Sequence, residues 1–366
     1  MNELDKDFDK YGSIVNLVSP AIRTLFTNKG LGHVTFSEGS SIDKSDNKIP
    51  YSDEIECIYT ELENLSKNGI CPKSLFIEKI GCFSISENSK QNSRLEGRVC
   101  IVTGAAQGFG KGIAEGLAEA GGFLVIADLN DALAQEVADE LNKKHGEGTA
   151  STIKVDVGSE DSVREMCEKT VEVFGGIDLL VSNAGVLRAG GLDEMTLADF
   201  DFVTRINYTG FFLATKYASR PMKIQARFNS EYYADIVQIN SKSGLEGSNR
   251  NFAYAGGKFG GIGLVQSFAK ELVESSVKVN AICPGNYYEG PLWSDPEKGL
   301  FTQYLKAGKV PGAETVEDVY ESYVSKVPMR RGCSPEDVTK AILYCVEQIY
   351  ETGQAIPVTG GQNMLK

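Results

Sequence analysis

The chain is poor in histidine, contains no long apolar run and lacks any C-x-x-C pair. Only His33 and His145 are present, which argues against a histidine-based metal site and against a Ser-His-Asp hydrolase. No stretch of about 20 apolar residues exists, so the sequence predicts no membrane-spanning helix. The first residues, MNELDKDFDKYG, lack the apolar segment of a secretory signal. We therefore expect neither a membrane protein nor a metal-dependent enzyme.

The cysteines and the net charge indicate where the protein works and what it avoids. The eight cysteines are scattered, and several lie in apolar runs such as RVCIVTG and NAICPG, where buried free thiols are usual. This pattern favours a reducing, cytoplasmic location. The formal net charge of −13 argues against a nucleic-acid partner and against an anionic membrane surface, although solubility alone also explains such a charge.

A change of pattern near residue 95 divides the chain into two regions. Residues 1–94 contain apolar helical stretches at 14–26 and 55–65 and end in a polar run, SISENSKQNSR, that predicts a linker. From residue 98 onward, strands and helices alternate regularly, which predicts parallel βαβ units in an α/β, Rossmann-type doubly wound sheet. The expected strands are VCIVTG, FLVIAD, STIKVDV, IDLLVSNAG, ADIVQINS, VKVNAICPG and QAIPVTGG.

The last expected strand contains a proline, which suits the free edge of a sheet. Before it, residues 286–334 form a long aromatic and charged insertion, which we interpret as a substrate lid.

A glycine-rich turn, TGAAQGFG, follows the first strand of the second region. Its glycines would let the backbone approach a pyrophosphate whose charge meets a helix N-terminus, although such a turn can also be only a tight connection. Asp128 ends the next strand, where a carboxylate binds ribose hydroxyls and repels a 2′-phosphate, which favours NAD over NADP; a solvated strand end is the alternative. Asp156 and Val157, closing the third strand, would flank the adenine. The candidate cofactor residues of the turn are Thr103, Gly104, Gln107, Gly108, Phe109 and Gly110.

The strongest chemical signal lies in residues 239–261. Tyr254 and Lys258 are four residues apart and therefore share one face of a helix, with Ser241 upstream. A phenol titrates near pH 10, and an adjacent ammonium favours the phenolate while a serine hydroxyl can orient the reacting oxygen. By itself, however, a Tyr-x-x-x-Lys pair can equally be an ordinary helix surface.

The order and spacing of these segments resemble the short-chain dehydrogenase/reductase family over residues 95–366. The resemblance implies a Rossmann fold with roughly seven parallel strands, in which Tyr254 is the acid/base and Ser241 holds the substrate oxygen. Lys258 would bind the nicotinamide ribose and lower the phenol pKa, and Asn207 would anchor a water that relays protons to Lys258. Further cofactor contacts are implied at Asn183, Ala184, Gly185, Pro284 and Gly285.

Two positions depart from the family pattern, and one helix is unusually rich in glycine. Ser182 replaces the first residue of the usual Asn-Asn-Ala-Gly, and Glu289 stands where a threonine often contacts the carboxamide. The helix that carries Tyr254 holds several interior glycines, each costing roughly 1 kcal/mol relative to alanine. The resemblance implies that this helix packs on a symmetry mate in a homodimer or homotetramer; packing within the chain is the alternative.

Several segments are most similar to family members that oxidise sorbitol 6-phosphate at C2 to fructose 6-phosphate. They are QINSKSG, PGN with GPLW, KVPMRRGC, and TGQ through TGGQ. A sugar phosphate needs cationic or amide donors at one end of its pocket. The candidate substrate residues are Lys242, Arg188, Arg250 and Asn251, with Asn286 and Glu289 for the polyol and Arg330 and Arg331 as a second cationic cluster. Each cation could equally be a surface charge.

Other interpretations stay open. The chain could act on a different polyol or ketose, could be a non-catalytic NAD-sensing protein on the same fold, or could be a scaffold subunit that works through residues 1–94. The segment CPKSLFIEKIGCF resembles the tail of class II aldolase domains fused to dehydrogenases. Because such an aldolase needs a histidine cluster and this region has only His33, we predict a non-catalytic docking or oligomerisation extension.

Overall fold

The N-terminal region is a small α/β unit in the computed structural model, which describes residues 13–27, 32–38, 47–86, 93–95, 97–306 and 308–364. Its elements are α1 (Ile14–Phe26), β1 (His33–Ser37), β2 (Asn47–Ile49), α2 (Ile55–Lys67), β3 (Ser74–Ile77) and β4 (Gly81–Ser86). The strands form a sheet in the order β1-β4-β3-β2, with β4 antiparallel to both of its neighbours. Both helices predicted from the sequence are confirmed.

The linker prediction is wrong at its start. Residues 84–86 belong to β4, where Ile85 pairs with the buried Val34 of β1. Ser84 and Ser86 are exposed on the other face of the strand, so the alternation of a half-buried strand looks like a polar run in the sequence. Residues 87–92, which make up most of the remainder of the predicted linker, lie outside the described residues.

Seven parallel strands form the second sheet, in the order β11-β10-β9-β8-β5-β6-β7. They are β5 (Val99–Thr103), β6 (Phe123–Asp128), β7 (Ala150–Lys154), β8 (Leu179–Ser182), β9 (Ala234–Ile239), β10 (Val277–Pro284) and β11 (Ala355–Val358). Every predicted strand is present, and the proline-containing β11 lies at the edge as expected. The central strands are buried on both faces, which explains why they read as continuous apolar runs.

Helices cover both faces of the large sheet. They are α3 (Gly108–Glu119), α4 (Asp131–His145), α5 (Glu160–Phe174), α6 (Leu197–Thr204), α7 (Gly210–Phe228), α8 (Phe252–Leu272) and α12 (Pro335–Glu347). Two apolar cores, one on each face, pack these helices against the strands. None of the described helices is long and apolar enough to cross a membrane.

The predicted lid is folded around an aromatic core of its own. It contains α9 (Pro291–Ser294), α10 (Leu300–Lys306) and α11 (Val316–Val324). Tyr288, Trp293 and Phe301 form the buried centre of this core, with Tyr320 and Tyr323 packed around them. The insertion is therefore a compact cap above the sheet.

A wholly buried ion pair joins the N-terminal region to the large unit. Arg23 of α1 donates from Nη1 and Nη2 to the two carboxylate oxygens of Asp178, at 3.0 and 2.7 Å. Asp178 also accepts hydrogen bonds from Gln225, from Tyr232 and from the backbone N–H of Val99. Burial alone would raise the pKa of this carboxyl, but the Arg23 charge and these hydrogen bonds outweigh it and lower the pKa.

The ion pair also fixes where the N-terminal region lies. Asp178 immediately precedes β8 and Val99 begins β5, so the contact is at the amino ends of the parallel strands. Ile224 of α7 belongs to the apolar core of the N-terminal region, which the two units therefore share. The described part of the N-terminal region thus contacts the large sheet at the edge opposite the carboxyl ends of its strands.

Candidate active site

The glycine-rich turn packs tightly against the segment that follows β8. A Cβ atom at Gly110 would lie 2.0 Å from the Gly104 carbonyl oxygen, and one at Gly104, where φ is +66°, would lie 2.9 Å from the Cα of Ala184. Thr103 Oγ1 accepts hydrogen bonds from the backbone N–H groups of Asn183 and Ala184, at 3.0 and 3.1 Å. Only glycine allows this close approach of the two loops.

The start of α3 leaves room for a bound group. Gly108 begins this helix with a φ of +58°, and no described atom lies within 4 Å of a Cβ built there. The helix N-terminus carries a partial positive charge and unsatisfied N–H groups, which suit a pyrophosphate. Phe109 follows, and its ring contacts that of Tyr287 in the lid, with centroids 5.0 Å apart. The turn therefore has the shape and the electrostatics of a dinucleotide cradle.

Asp128 is held rigidly at the carboxyl end of β6. Its carboxylate accepts hydrogen bonds from the backbone N–H groups of Ala106, at 3.0 Å, and Asn130, at 2.9 Å. Asp156 similarly accepts from the backbone N–H of Gly158, at 2.8 Å. Because β7 ends at Lys154, Asp156 and Val157 lie in the following loop, so their predicted place within the strand is wrong. Both loops open at the same edge of the sheet.

Ser241, Tyr254 and Lys258 come together at the carboxyl end of β9. Ser241 precedes the short turn Lys242–Gly244, and its hydroxyl accepts a hydrogen bond from the backbone N–H of Ser243, at 3.1 Å. Tyr254 lies near enough to Ser241 for the serine side chain to influence the pKa of the phenol. Lys258 Nζ lies 5.5 Å from the centroid of the Tyr254 ring and donates to the Ile239 carbonyl oxygen, at 2.8 Å. The three residues form one polar cluster.

Burial perturbs both titratable groups of this cluster. It lowers the pKa of Lys258 to about 8, because a buried ammonium loses hydration. It also raises the pKa of Tyr254, and the Ser241 side chain only partly offsets this effect. In the chain without cofactor, desolvation therefore disfavours the phenolate more than its surroundings stabilise it, and the lowering of the phenol pKa by Lys258 stays a prediction.

Asn207 lies in a π-helical segment, Arg205–Thr209, between α6 and α7. Its side chain accepts a hydrogen bond from the backbone N–H of Val186, at 2.9 Å, and donates to the carbonyl oxygen of the same residue, at 2.7 Å. A π-turn is often found at functional sites, where it displaces backbone carbonyls from the regular helix pattern. The anchoring of a water by Asn207 stays a prediction.

The cations predicted to bind substrate differ in their partners. Arg188 is 3.7 Å from Asp199, and Arg250 is paired with Glu194. In the lid, Arg331 is paired with Asp337, and Arg330 donates to the Ser325 carbonyl oxygen. Lys242 has no carboxylate within ion-pair distance among the described residues.

Lys242 instead reaches the C-terminal loop. Its ammonium donates to Gln362 Oε1, at 3.1 Å, and its side chain is partly buried. Among the predicted cations, Lys242 and Arg330 are therefore the two without a carboxylate at ion-pair distance among the described residues, and of these two only Lys242 is partly buried.

The remaining predicted residues have mixed surroundings. Asn251, just before α8, has a buried Oδ1 atom without a hydrogen-bond partner among the described residues. Asn286 donates from Nδ2 to the Tyr288 hydroxyl, at 3.3 Å. Glu289 is exposed and lies against Gly332 in the lid. Pro284 ends β10, and the backbone N–H of Gly285 donates to Val358, at 2.9 Å.

A cavity of about 320 Å³ lies between the Pro-Gly loop, the end of the lid and the C-terminal loop. Its lining includes Asn286, Val327, Gln362 and Asn363. Sequence analysis assigned no site role to Gln362 or to Lys326, which directly precedes Val327. The only signal for them was membership of the segments KVPMRRGC and TGGQ, because contacts between such distant segments depend on the fold.

Known proteins share both the sequence and the fold of this chain. The profile of the short chain dehydrogenase family matches residues 98–294. A sorbitol-6-phosphate 2-dehydrogenase from Escherichia coli is 37% identical over 273 residues, which cover 73% of this chain and 99% of that protein.

Two solved structures extend this comparison. The crystal structure of sorbitol-6-phosphate 2-dehydrogenase SrlD from Erwinia amylovora has a TM-score of 0.67 and 38% identity, covering 73% of this chain and all of that one. The Pseudomonas aeruginosa RhlG/NADP active-site complex has a TM-score of 0.62 and 25% identity, covering 73% of this chain and 97% of that one. The similarity therefore spans nearly the full length of these relatives and about three quarters of this chain.

Proposed function

The chain belongs to the short-chain dehydrogenase family, and we propose that it oxidises a sugar-alcohol phosphate, specifically sorbitol 6-phosphate at C2 to fructose 6-phosphate, with NAD. The observation that carries this proposal is the cluster of Ser241, Tyr254 and Lys258 beside a glycine-rich cradle. The substrate is supported by the similarity to sorbitol-6-phosphate 2-dehydrogenases over nearly their whole length.

The residues of the cradle fit a nicotinamide dinucleotide. Gly108 at the start of α3 leaves open space for a pyrophosphate, and Asp128 presents a fixed carboxylate where the adenosine ribose would lie. A 2′-phosphate would bring negative charge to that carboxylate. The nearby Lys111 is already paired with Glu140, at 2.7 Å. These contacts favour NAD over NADP.

The chemistry that a bound nicotinamide supplies is acceptance of the hydride from the carbon being oxidised. The chain handles the proton. Tyr254 Oη takes the proton of the substrate hydroxyl, and Ser241 Oγ, which is fixed by the Ser243 N–H, orients the reacting oxygen. Lys258 places a positive charge near the phenolate that this transfer requires, since its ammonium lies 5.5 Å from the phenol ring.

The exposed surface of α7 and α8 supports a homodimer or homotetramer. Phe212 and Phe259 are large apolar side chains that remain 41% and 47% exposed. Gly256 and Gly263 of α8 have open space where a Cβ would lie, whereas Gly261 packs directly against Gln238. Intrachain packing thus explains one of these glycines and leaves the outer two free for a second copy. Light scattering of the purified chain tests this part of the proposal.

A substrate panel tests the proposed reaction. We expect NADH formation at about 340 nm with sorbitol 6-phosphate and NAD, and far slower turnover with free sorbitol because a charged anchor of the substrate is missing. The panel should include other phosphorylated and free polyols, each with NAD and NADP. Equal rates for sorbitol and its 6-phosphate would contradict a phosphorylated substrate. A faster reaction with another polyol would replace sorbitol 6-phosphate while leaving the reaction type intact.

A further inference from the structure

Two cations of the lid interact electrostatically with cations of the segment that carries the catalytic residues. Burial and then the charge of Lys326, at the end of the lid, lower the pKa of Lys242, and burial and then the charge of Arg250 lower the pKa of Lys309, also in the lid. Like charges repel, so such pairs are unfavourable unless something neutralises them. In a chain with a net charge of −13, their position beside the reacting groups calls for a specific explanation.

The chain neutralises one of these pairs itself. Arg250 is ion-paired with Glu194, so that pair carries a carboxylate of its own. Lys242 has no such partner among the described residues, and its ammonium meets the neutral amide oxygen of Gln362, at 3.1 Å. The Glu246 carboxylate, which is near enough to influence Lys242, accepts a hydrogen bond from Asn363 at 2.6 Å. Lys242 therefore has no direct ion-pair partner among the described residues, although the Glu246 charge partly offsets the effect of burial on it.

The positively charged Lys242 lies next to a cavity-lining residue and next to the candidate catalytic Ser241. Lys242 follows Ser241 in the chain, so their Cα atoms are about 3.8 Å apart. Its partner Gln362 lines the 320 Å³ cavity, as does Val327, the residue after Lys326. Burial lowers the pKa of Lys242, Glu246 opposes this shift, and the charge of Lys326 lowers the pKa further. An anion bound between the two lysines would relieve both the burial cost and the repulsion.

We infer that Lys242 and Lys326 form the subsite for the substrate phosphate, with Gln362 as a positioning residue that holds the Lys242 ammonium at the cavity. This inference rests on the proposed function, because it assigns the phosphate end of the polyol to that side of Ser241. A phosphate bound by both lysines would also link the lid to the substrate, because Lys242 lies beside the catalytic serine and Lys326 belongs to the lid. We do not assign Arg188, Arg250 or Arg331 as principal ligands because each already has a carboxylate partner, and Arg330 is engaged with the Ser325 carbonyl oxygen.

Titration of the full-length protein with inorganic phosphate, in the presence of NADH, tests the subsite without turnover. We expect Lys242→Met to weaken phosphate binding by about 10- to 100-fold, the range for a charge-assisted hydrogen bond, and Lys242→Arg to retain most of it. Lys326→Met should weaken binding several-fold, because its side chain is exposed. The matched control is Lys169→Met on α5, whose lysine is paired with Glu165, and it should bind phosphate as the unmodified protein does.

Steady-state kinetics separate this inference from the proposed function. In Lys242→Met, kcat/KM for sorbitol 6-phosphate should fall by about 10- to 100-fold more than kcat/KM for free sorbitol falls. One contrary outcome is that the Lys242→Met variant binds phosphate as tightly as the unmodified protein does and discriminates equally strongly between sorbitol 6-phosphate and sorbitol. That result would show that the proposed subsite is wrong, while the proposed function would stand. If the unmodified protein turns over neither polyol, yet loses phosphate binding on this substitution, the subsite stands and the substrate is wrong.

Discussion

The junction between the N-terminal and dehydrogenase regions and the candidate active site both bury titratable groups, but they do so in opposite ways. Arg23 and Asp178 are completely buried, and several hydrogen bonds satisfy the carboxylate between them. At the other edge of the sheet, burial shifts the pKa of Tyr254 and Lys258 away from their ordinary values. A fully satisfied buried charge stabilises one packing arrangement, whereas an incompletely satisfied one is poised to react.

The N-terminal region and the candidate active site therefore differ in their roles. The N-terminal region shares its core with α7 and contacts the amino ends of the strands, far from the carboxyl ends where the candidate site opens. We propose that it stabilises the dehydrogenase fold and takes no part in the chemistry. The predicted non-catalytic role of residues 1–94, as a docking or an oligomerisation extension, stays a prediction.

The sharpest test on the catalytic side is Tyr254→Phe. Loss of the phenol hydroxyl removes the proton acceptor, so we expect kcat to fall by about 10²- to 10⁴-fold. NADH binding, followed by fluorescence, should stay near normal, and the free energy of unfolding should change little. A variant that retains most of its turnover would remove Tyr254 from the acid/base role.

The corresponding test on the N-terminal side is Arg23→Met. It leaves Asp178 buried without its cation, which should lower the free energy of unfolding by about 3–5 kcal/mol, measured by urea denaturation. The folded fraction should keep the KM of the unmodified protein, because the substitution lies at the far edge of the sheet.

The control for that experiment is Arg94→Met. Arg94 pairs with Glu347, but both side chains are 48% exposed, so the loss should be at most about 1 kcal/mol. Equal effects of the two substitutions would mean that the N-terminal region is not held by its buried ion pair.

A smaller effect is expected for Asp128→Ala in the cofactor cradle. Removing the carboxylate takes away its hydrogen bonds to the ribose and its repulsion of a 2′-phosphate. The ratio of kcat/KM for NAD to that for NADP should therefore fall by about 10- to 100-fold. An unchanged ratio would show that Asp128 serves only to hold the Ala106 and Asn130 backbone.

The smallest effect is expected in the pH dependence of kcat/KM, which should change by roughly tenfold per pH unit. Oxidation needs the Tyr254 phenolate, and burial raises the pKa of that phenol, so kcat/KM for oxidation should rise with pH across the neutral range. Reduction of the ketose needs the protonated phenol and should not rise in that way. A profile for oxidation that falls as pH increases would contradict the assignment of Tyr254 as the base.

The sequence by itself predicted the large sheet and the catalytic cluster, because both depend on local information. Continuous apolar runs mark strands that are buried on both faces, and four-residue spacing brings Tyr254 and Lys258 to one side of α8. The glycines of the predicted cofactor turn were likewise recognisable, since Gly104 and Gly108 have positive φ angles and Gly110 packs too closely on neighbouring atoms for a Cβ atom.

Only the tertiary structure decided which charges are already neutralised and how the two regions are joined. Arg23 and Asp178 are 155 positions apart in the chain, and Arg250 and Glu194 are 56 apart. No local pattern records such pairs, because they form only when distant segments are packed together. For the same reason, Lys242 could be distinguished from the neighbouring arginines only after the fold had placed every carboxylate around them.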